Sequence, residues 1–423
     1  MNLVVSRFKL LLMLLTFIIV FLIVAIIVYP IIFREIPRKN NEYSYEIVVS
    51  NLDTPWSLAF DKNGKLFFTE RPGKVKVFYE GKLIELKVNI NVKEIGEGGL
   101  LGLALHPDFP NLPYVYLYYT YQENDRLWNR VSMFKLVNDS LIEEKILVDK
   151  IPGASIHDGG RIKFGPDKKL YITTGDAAQP NLAQDLNSLA GKILRINPNG
   201  SIPQDNPFAS IIYSYGHRNP QGIDWNGIIM YESEHGPSGE KGFAHDEINV
   251  IIAGGNYGWP LIVGVGNDNN YINPILESGS DTWAPSGIVF YKGDVYPELK
   301  GKLLVACLRG EQVLVVDFDK NNPKKVVNYY TILSKTLGRI RDIAVDKEGY
   351  IYLATSNMDG RGTPKQDDDK IVKLKPNIKS QISLISYFKD IYISINDYMI
   401  IKLRRYYNSF IENYYTKIIS LIY

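Results

Sequence analysis

The chain has 423 residues, 45% of them hydrophobic and 22% charged, a composition that buries a large core and excludes a disordered protein. A formal charge of +2 and the lack of a dense Lys/Arg run between residues 40 and 377 exclude a nucleic-acid groove as the main business of the chain and point to a small ligand. The single cysteine, Cys307, forms no internal disulfide and rules out a Cys-x-x-Cys site, so any metal must be held by oxygen or histidine.

In chain order the first element is Leu10 to Phe33, "LLLMLLTFIIVFLIVAIIVYPIIF", which carries no charge. At ~1.5 Å per residue it reaches about 36 Å, more than a hydrocarbon core of roughly 30 Å. A cleaved signal peptide is the competing reading, but its apolar run is usually shorter and ends in small residues. This one ends in Tyr29, Ile31, Ile32 and Phe33. The expectation is an uncleaved N-terminal transmembrane helix, with residues 1–40 as a membrane anchor. Arg7 and Lys9 precede the segment while Arg34, Arg38 and Lys39 follow it, so the charges alone do not choose a side.

Beyond residue 40, Gly and Pro recur and the apolar runs shorten and fill with β-branched and aromatic residues, the mark of strands. One phrase repeats: an apolar strand, a polar Asp/Asn/Gly turn, a second apolar strand. It occurs as "WSLAFDKNGKLFFTE" (56–70), "LGLALHPDFPNLPYVYLYYT" (101–120), "GRIKFGPDKKLYITTGD" (160–176), "QGIDWNGIIMYESE" (221–234), "SGIVFYKGDVYPELKGKLLVACL" (286–308) and "RDIAVDKEGYIYLATS" (341–356). Further short strands follow, such as "KVKVF", "KILRI", "QVLVV" and "KIVKL". Radial repetition protects sheet edges, so residues 41–377 are predicted to form an all-β, six-bladed β-propeller.

In such a fold the loops at one end of the central channel converge, so chemistry is expected where blades begin. Glu97 lies in "GEGGLLG" before the second copy, His157 before the third, "GHRNPQG" (216–222) before the fourth, and Arg339 and Arg341 in "GRIRD" before the sixth. Of the five histidines, His106 beside Pro107 reads as a turn residue, His217 as support for its loop, and His235 and His245 as flanks of a Gly-rich acidic loop. A lone histidine in a β protein is usually structural. His157 differs in its company: Asp176 closes "LYITTGD", and an up-and-down hairpin of that length can return it to the same end of the blade. A carboxylate on one ring nitrogen fixes the tautomer and supports the imidazolium. The alternative is a buried His capping a turn.

The loop 233–259 joins the backbone around Gly236 and Pro237 to Asp246 and Glu247. Hard oxygen ligands suit Ca²⁺, but EF-hand spacing is missing, so a solvated acidic loop stays open as the other reading.

These segments, together with "TPWSLAF", "GGLLGLALHPDF", "HDGGRIKFGPDKKLY", "EHGP", "DEINVIIAGGNYGWP" and "RIRDI", closely resemble the soluble quinoprotein glucose/aldose sugar dehydrogenase family, which uses pyrroloquinoline quinone. The likeness runs over nearly all of residues 45–377. It implies that His157 is the base taking the proton of the sugar C1 hydroxyl as hydride passes to the quinone, and that Asp176 orients it. It also implies that Arg218 and Asn219 contact the quinone, Arg218 stabilising developing negative charge. Arg339 and Arg341 would meet the cofactor's carboxylates, a task suited to the guanidinium fork, with Glu97 close to the cofactor. The carbonyls of Gly236 and Pro237 would bind the Ca²⁺ that polarises the quinone, and Asp246, Glu247 and Tyr257 a structural Ca²⁺.

Ile156 stands where glucose-oxidising members place an acid, Leu308 in "CLRG" is read in place of a lysine, and Asn181 or Gln179 in "AAQPN" takes the position of a glutamine. The broader aldose label follows. The resemblance thus implies an enzyme oxidising aldoses to lactones outside the cytoplasm and passing electrons to an external acceptor, and the apolar segment Leu10 to Phe33 would tether it to the membrane. A G-x-G-x-x-G fingerprint for a nicotinamide cofactor is absent. Two other classes keep the same fold: a calcium-dependent propeller lactonase and a non-catalytic binding propeller. The tail 378–423, rich in Ile and Tyr, has apolar runs too short to span a membrane, and its role and the oligomeric state are not given by the motifs.

Overall fold

The computed structural model describes residues 43–237, 244–376 and 402. The expected anchor over 1–40 and all of the tail but Lys402 lie outside the described residues. Tyr43 opens the larger of two compact units, Tyr43–Tyr423.

Between residues 43 and 376 the described chain is all β apart from single 3-10 turns. β1 (Tyr45–Val49) is followed by a first meander, β2 (Pro55–Phe60), β3 (Leu66–Glu70), β4 (Lys74–Tyr79) and β5 (Lys82–Val88). The second is β6 (Leu100–Leu105), β7 (Tyr114–Glu123), β8 (Arg126–Val137) and β9 (Ser140–Pro152), and the third β10 (Ile162–Phe164), β11 (Leu170–Thr174), β12 (Lys192–Ile196) and β13 (Ile212–Tyr215). The fourth is β14 (Pro220–Asn226), β15 (Ile229–Glu234), β16 (Glu247–Ile251) and β17 (Leu276–Glu277), and the fifth β18 (Pro285–Phe290), β19 (Leu303–Cys307), β20 (Gln312–Phe318) and β21 (Val326–Ile332).

The sixth departs from a simple repeat. Its own strands are β22 (Ile340–Val345), β23 (Ile351–Thr355) and β24 (Ile371–Leu374), and its fourth is β1, with Tyr45 opposite Leu374 and Ile47 opposite Val372. The chain's start thus pairs with the end of its last repeat, which covers an edge that "KIVKL" alone leaves open. The first and second meanders form one eight-stranded sheet through a short parallel pairing of β5 with β9. The first strands of the meanders touch in a closed cycle, β2–β6–β10–β14–β18–β22 and back to β2. This is the arrangement of a β-propeller around a central channel.

The repeated Asp turn has a local cause. Asp61 Oδ1 accepts the N–H groups of Asn63 and Lys65 at 2.9 and 2.8 Å, and Asp346 Oδ1 those of Glu348 and Tyr350 at 3.1 and 2.8 Å. Each Asp side chain thereby stands in for backbone and closes the hairpin from first to second strand. Gly64 and Gly349 supply the left-handed residue at φ +90° and +94°.

The core sits between neighbouring meanders. Phe67 and Val75 of the first pack with Leu100, Val115 and Phe134 of the second, and Tyr116 and Tyr118 of the second with Ile162, Ile172 and Leu194 of the third. Each fully buried side chain of this size contributes about 1.5–3 kcal/mol. Polar residues cross the channel instead. Arg161 reaches Asp342 at 2.9 Å and lies 4.3 Å from the Trp56 ring, while Asp342 also accepts the N–H of Leu58 at 2.7 Å. Trp56 faces a cavity at one end of the channel, and Arg161 and Asp342 face a second cavity at the other.

Candidate active site

The cavity over Trp56 has a volume of about 280 Å³ and draws its wall from all six meanders and the loops that join them. Its character is cationic: Arg218, Arg309, Arg339, Arg341 and Arg361 all line it. His157 and Glu97 stand at its edge.

His157 enters from the loop before β10 at φ +61°, a left-handed conformation that costs a non-glycine residue about 1–2 kcal/mol. Neighbouring groups hold it there. Its N–H donates to Glu97 Oε2 at 2.9 Å and its carbonyl accepts from Ala177 N at 3.1 Å. Gly159 and Gly160, at φ +62° and +103°, then turn the chain into β10. The hairpin β10–β11 brings Asp176 back beside the ring, so that His157 Nδ1 lies 2.8 Å from Asp176 Oδ1. Asp176 is fully buried; Oδ1 also takes Ala178 N at 2.8 Å and Oδ2 the indole N–H of Trp259 at 2.8 Å. With Nδ1 engaged, Nε2 is the ring nitrogen left for chemistry.

Arg218 is held from three sides. Its backbone N–H donates to Glu234, its Nη1 to the carbonyl of His235 at 3.0 Å, and its guanidinium lies 5.3 Å from the Trp259 ring. Its Nε has no partner although buried, and the same holds for Asn219 Nδ2, Arg341 Nε and His235 Nε2. Asn219 Oδ1 receives Gly159 N at 3.0 Å, tying "HRNPQG" to the turn after His157. Arg341 donates to Gln221 Oε1 at 2.9 Å, and burial lowers its guanidinium to about 9 against the opposing pull of Asp359. Arg339 forks onto Asp359 Oδ2 at 3.0 and 2.9 Å. Burial pushes the His235 ring down to about 3 despite the charge of Glu97, so it is neutral at physiological pH. Burial raises the Glu97 carboxyl, but the charge of a protonated His235 ring, the His157 N–H and Arg361 outweigh it and bring it to about 2.

Gly236 lines the same cavity, and Pro237 a smaller one beside it. The carbonyls of Ala244 and His245 crowd Gly236 so closely that a Cβ there would come within 2.1 and 2.2 Å of them. The side chains of Asp246 and Tyr257 are occupied by protein. Asp246 accepts the N–H groups of Gly236, Trp283 and Ala284 at 3.0, 2.7 and 2.8 Å, and the Tyr257 hydroxyl donates to the Val250 carbonyl at 2.7 Å. Glu247 Oε1 takes Gly264 N at 3.2 Å and Oε2 the Asn249 amide at 3.1 Å. Beside it, His217, Glu232 and Glu234 bring ligand-type atoms within 4.8 Å of one another. Glu232 Oε1 and Asn249 Oδ1 are buried without a partner, and this oxygen-rich set fits a hard cation.

The structure also shows what sequence reasoning missed. Leu308 forms part of the cavity wall, and its neighbour Arg309 also lines the cavity and brings a cation there. Ile156, Gln179 and Asn181 do not line the cavity. Trp56, Asp158, His235 and Arg361 do. Trp56 was legible as the first residue of a repeat, at the strand start where function was expected. Arg361 lies after the last repeat in a Gly-rich loop and had no signal of its own.

A family model described as Glucose / Sorbosone dehydrogenase matches residues 52–364. An oxidoreductase of Thermus thermophilus described as a glucose dehydrogenase is 42% identical with a TM-score of 0.72, covering 78% of this chain and 99% of that one. The aldose sugar dehydrogenase of Streptomyces coelicolor, in its PQQ-bound form, is 34% identical with a TM-score of 0.71, covering 79% of this chain and 98% of that one. The aldose sugar dehydrogenase YliI of Escherichia coli is 33% identical, over 74% of this chain and 90% of that protein.

Proposed function

The chain belongs to the glucose/sorbosone dehydrogenase family, and we propose that it is a pyrroloquinoline quinone-dependent aldose sugar dehydrogenase. The observation that carries this reading is the His157–Asp176 pair at the edge of a cavity walled by five arginines. A polycarboxylate cofactor fits that wall: Arg218 Nε, Arg341 Nε and Asn219 Nδ2 are buried donors without partners, and unpaired donors of this kind favour an anionic guest. Arg218, Asn219, Arg309, Arg339 and Arg341 would hold it. Bound there, pyrroloquinoline quinone supplies the two-electron acceptor that no side chain provides.

The protein's own part is proton transfer and orientation. His157 Nε2 takes the proton of the sugar C1 hydroxyl, and Asp176 keeps Nδ1 as the protonated nitrogen and stabilises the imidazolium. Arg218, oriented by the His235 carbonyl and Trp259, places positive charge where negative charge develops. The carbonyls of Gly236 and Pro237 would bind a catalytic Ca²⁺, and Glu247 with the backbone near Tyr257 a second one. The product is the lactone, and the electrons leave to an external acceptor. In this reading Leu10–Phe33 tethers the enzyme to the cell membrane with its catalytic unit outside the cytoplasm.

The test is to add pyrroloquinoline quinone and Ca²⁺ to the cofactor-free protein and follow sugar-dependent bleaching of a redox dye across a broad panel of aldoses. Turnover that disappears in His157→Ala with cofactor binding retained is expected. No turnover with any aldose would overturn the reading.

A further inference from the structure

We propose that Arg361 is a positioning residue for His157, acting through Glu97 as a latch across the channel mouth. The proposal rests on the reading of His157 as the catalytic base. Glu97 sits in the connection from β5 to β6, whereas Arg361 sits in the connection from β23 to β24. Their side chains nonetheless meet, Arg361 Nη1 donating to Glu97 Oε1 at 2.6 Å across a sequence separation of 264. The other carboxylate oxygen, Oε2, receives the backbone N–H of His157 at 2.9 Å. One carboxylate therefore joins a half-exposed cation to the strained backbone of the base.

Both ends of the latch are anchored. Asp359 Oδ1 accepts the N–H of Arg361 at 2.9 Å while Asp359 Oδ2 takes the fork of Arg339. On the other side Glu97 N donates to the Ser155 carbonyl at 2.9 Å, so the turn at Glu97 and the loop entering His157 hold each other by two bonds. The fit is close: a Cβ on Gly96, at φ +59°, would stand 2.0 Å from that carbonyl. A left-handed histidine persists only where its surroundings over-determine it, and the N–H bond to Glu97 is one of the two bonds that fix its peptide.

The Arg361 side chain is 54% exposed. An ion pair at that exposure adds little to global stability, which makes its loss readable at the site without unfolding the protein. Nor does Glu97 need the cofactor to be satisfied, since both of its oxygens already have partners. Arg361 thus acts on the geometry of the base, and its effect on the His157 peptide should run through Glu97.

The experiment uses the full chain with Arg361→Ala, Arg361→Lys, Glu97→Gln and the Arg361→Ala/Glu97→Gln double variant. In the cofactor-free protein, amide hydrogen exchange over residues 155–160 is expected to speed up about tenfold in Arg361→Ala and in Glu97→Gln, with no further gain in the double variant. In the reconstituted enzyme, kcat at saturating cofactor should fall about tenfold in Arg361→Ala and recover largely in Arg361→Lys. Unchanged exchange in Arg361→Ala would overturn the proposal, as would losses that add in the double variant, or weaker cofactor binding without faster exchange. The exchange readout decides the latch even if no form oxidises any sugar, a result that would count against the dehydrogenase reading alone.

Discussion

Asp176 holds the His157 ring from beneath: Nδ1 lies 2.8 Å from Asp176 Oδ1, and the second carboxylate oxygen is pinned 2.8 Å from the indole nitrogen of Trp259. The acid is fully buried and so keeps a single orientation. Asp176→Asn retains the shape but replaces the charged acceptor with a neutral amide, removing the charge that supports the imidazolium. It should lower kcat by about 10²-fold or more, the range of a lost general-base partner. Trp259→Phe, which frees one carboxylate oxygen, should cost less. Dye-linked turnover with reconstituted enzyme reads both, and an Asp176→Asn rate within about twofold of the parent would remove Asp176 from catalysis.

Gly175 shows how closely the two hairpin ends approach. A Cβ there would come 1.9 Å from the His157 carbonyl and 3.0 Å from Asn219 Oδ1, and a backbone carbonyl cannot give way as a flexible side chain does. Gly175→Ala should either fail to fold or lose nearly all turnover. Gly227→Ala is the control, at φ +59° with nothing within 4 Å. It should cost only about 1 kcal/mol, the strain of a left-handed alanine, and leave activity intact. Thermal unfolding of the two variants separates local clash from backbone strain.

Much of this was legible in the chain because repeats carry two signals at once. "WSLAFDKNGKLFFTE" and "RDIAVDKEGYIYLATS" announce strands by their apolar runs and the turn by an Asp whose side chain replaces a backbone bond. The pairing of β1 with β24 was not legible, since "YEIVV" gives no hint that it joins a strand more than three hundred residues away. The same division runs through the site. Asp176 closes a repeat copy, and His157 and Arg218 stand just before the third and fourth copies, so their convergence follows from the fold. Arg361, His235 and Arg309 are brought in by loops whose course depends on tertiary contacts.

The oxygen cluster around Glu247 makes calcium removal informative. Glu232, Glu234 and Glu247 are largely buried with no Lys or Arg side chain paired to them, and Glu232 Oε1 and Asn249 Oδ1 lack partners. A divalent cation bound only by the folded state would stabilise it by mass action. Chelation is expected to lower the melting temperature by several degrees, about 1–3 kcal/mol of lost stability, with recovery on Ca²⁺ addition. Glu247→Gln should abolish that response. A melting temperature indifferent to chelator and to Ca²⁺ would exclude a structural ion here.

Asp158 predicts a dependence on pH that is separate from catalysis. It is fully buried next to His157; Oδ1 accepts from Asn129 at 2.9 Å and from Ala154 N at 3.1 Å, but Oδ2 has no partner. Burial therefore raises its carboxyl to about 7, against the lowering effect of those two bonds. In the unfolded chain the group titrates near pH ~4. Between about pH 4 and 7 the folded state thus binds more protons than the unfolded one, and stability falls as pH rises through that window, with the full penalty present above about pH 7. Asp158→Asn removes the titration. Its stability relative to the parent should improve by about 4 kcal/mol between pH 4 and pH 8, whatever constant cost the buried amide adds. Glu97 acts with the opposite sign: lowered to about 2, it contributes stability that is lost as pH drops from about 4.5 towards 2, so the acid limb should survive in the variant. Denaturant unfolding of both proteins at intervals from about pH 3 to 8 measures the difference, and a gap that does not change with pH would show that Asp158 titrates in the folded protein as it does in the unfolded chain.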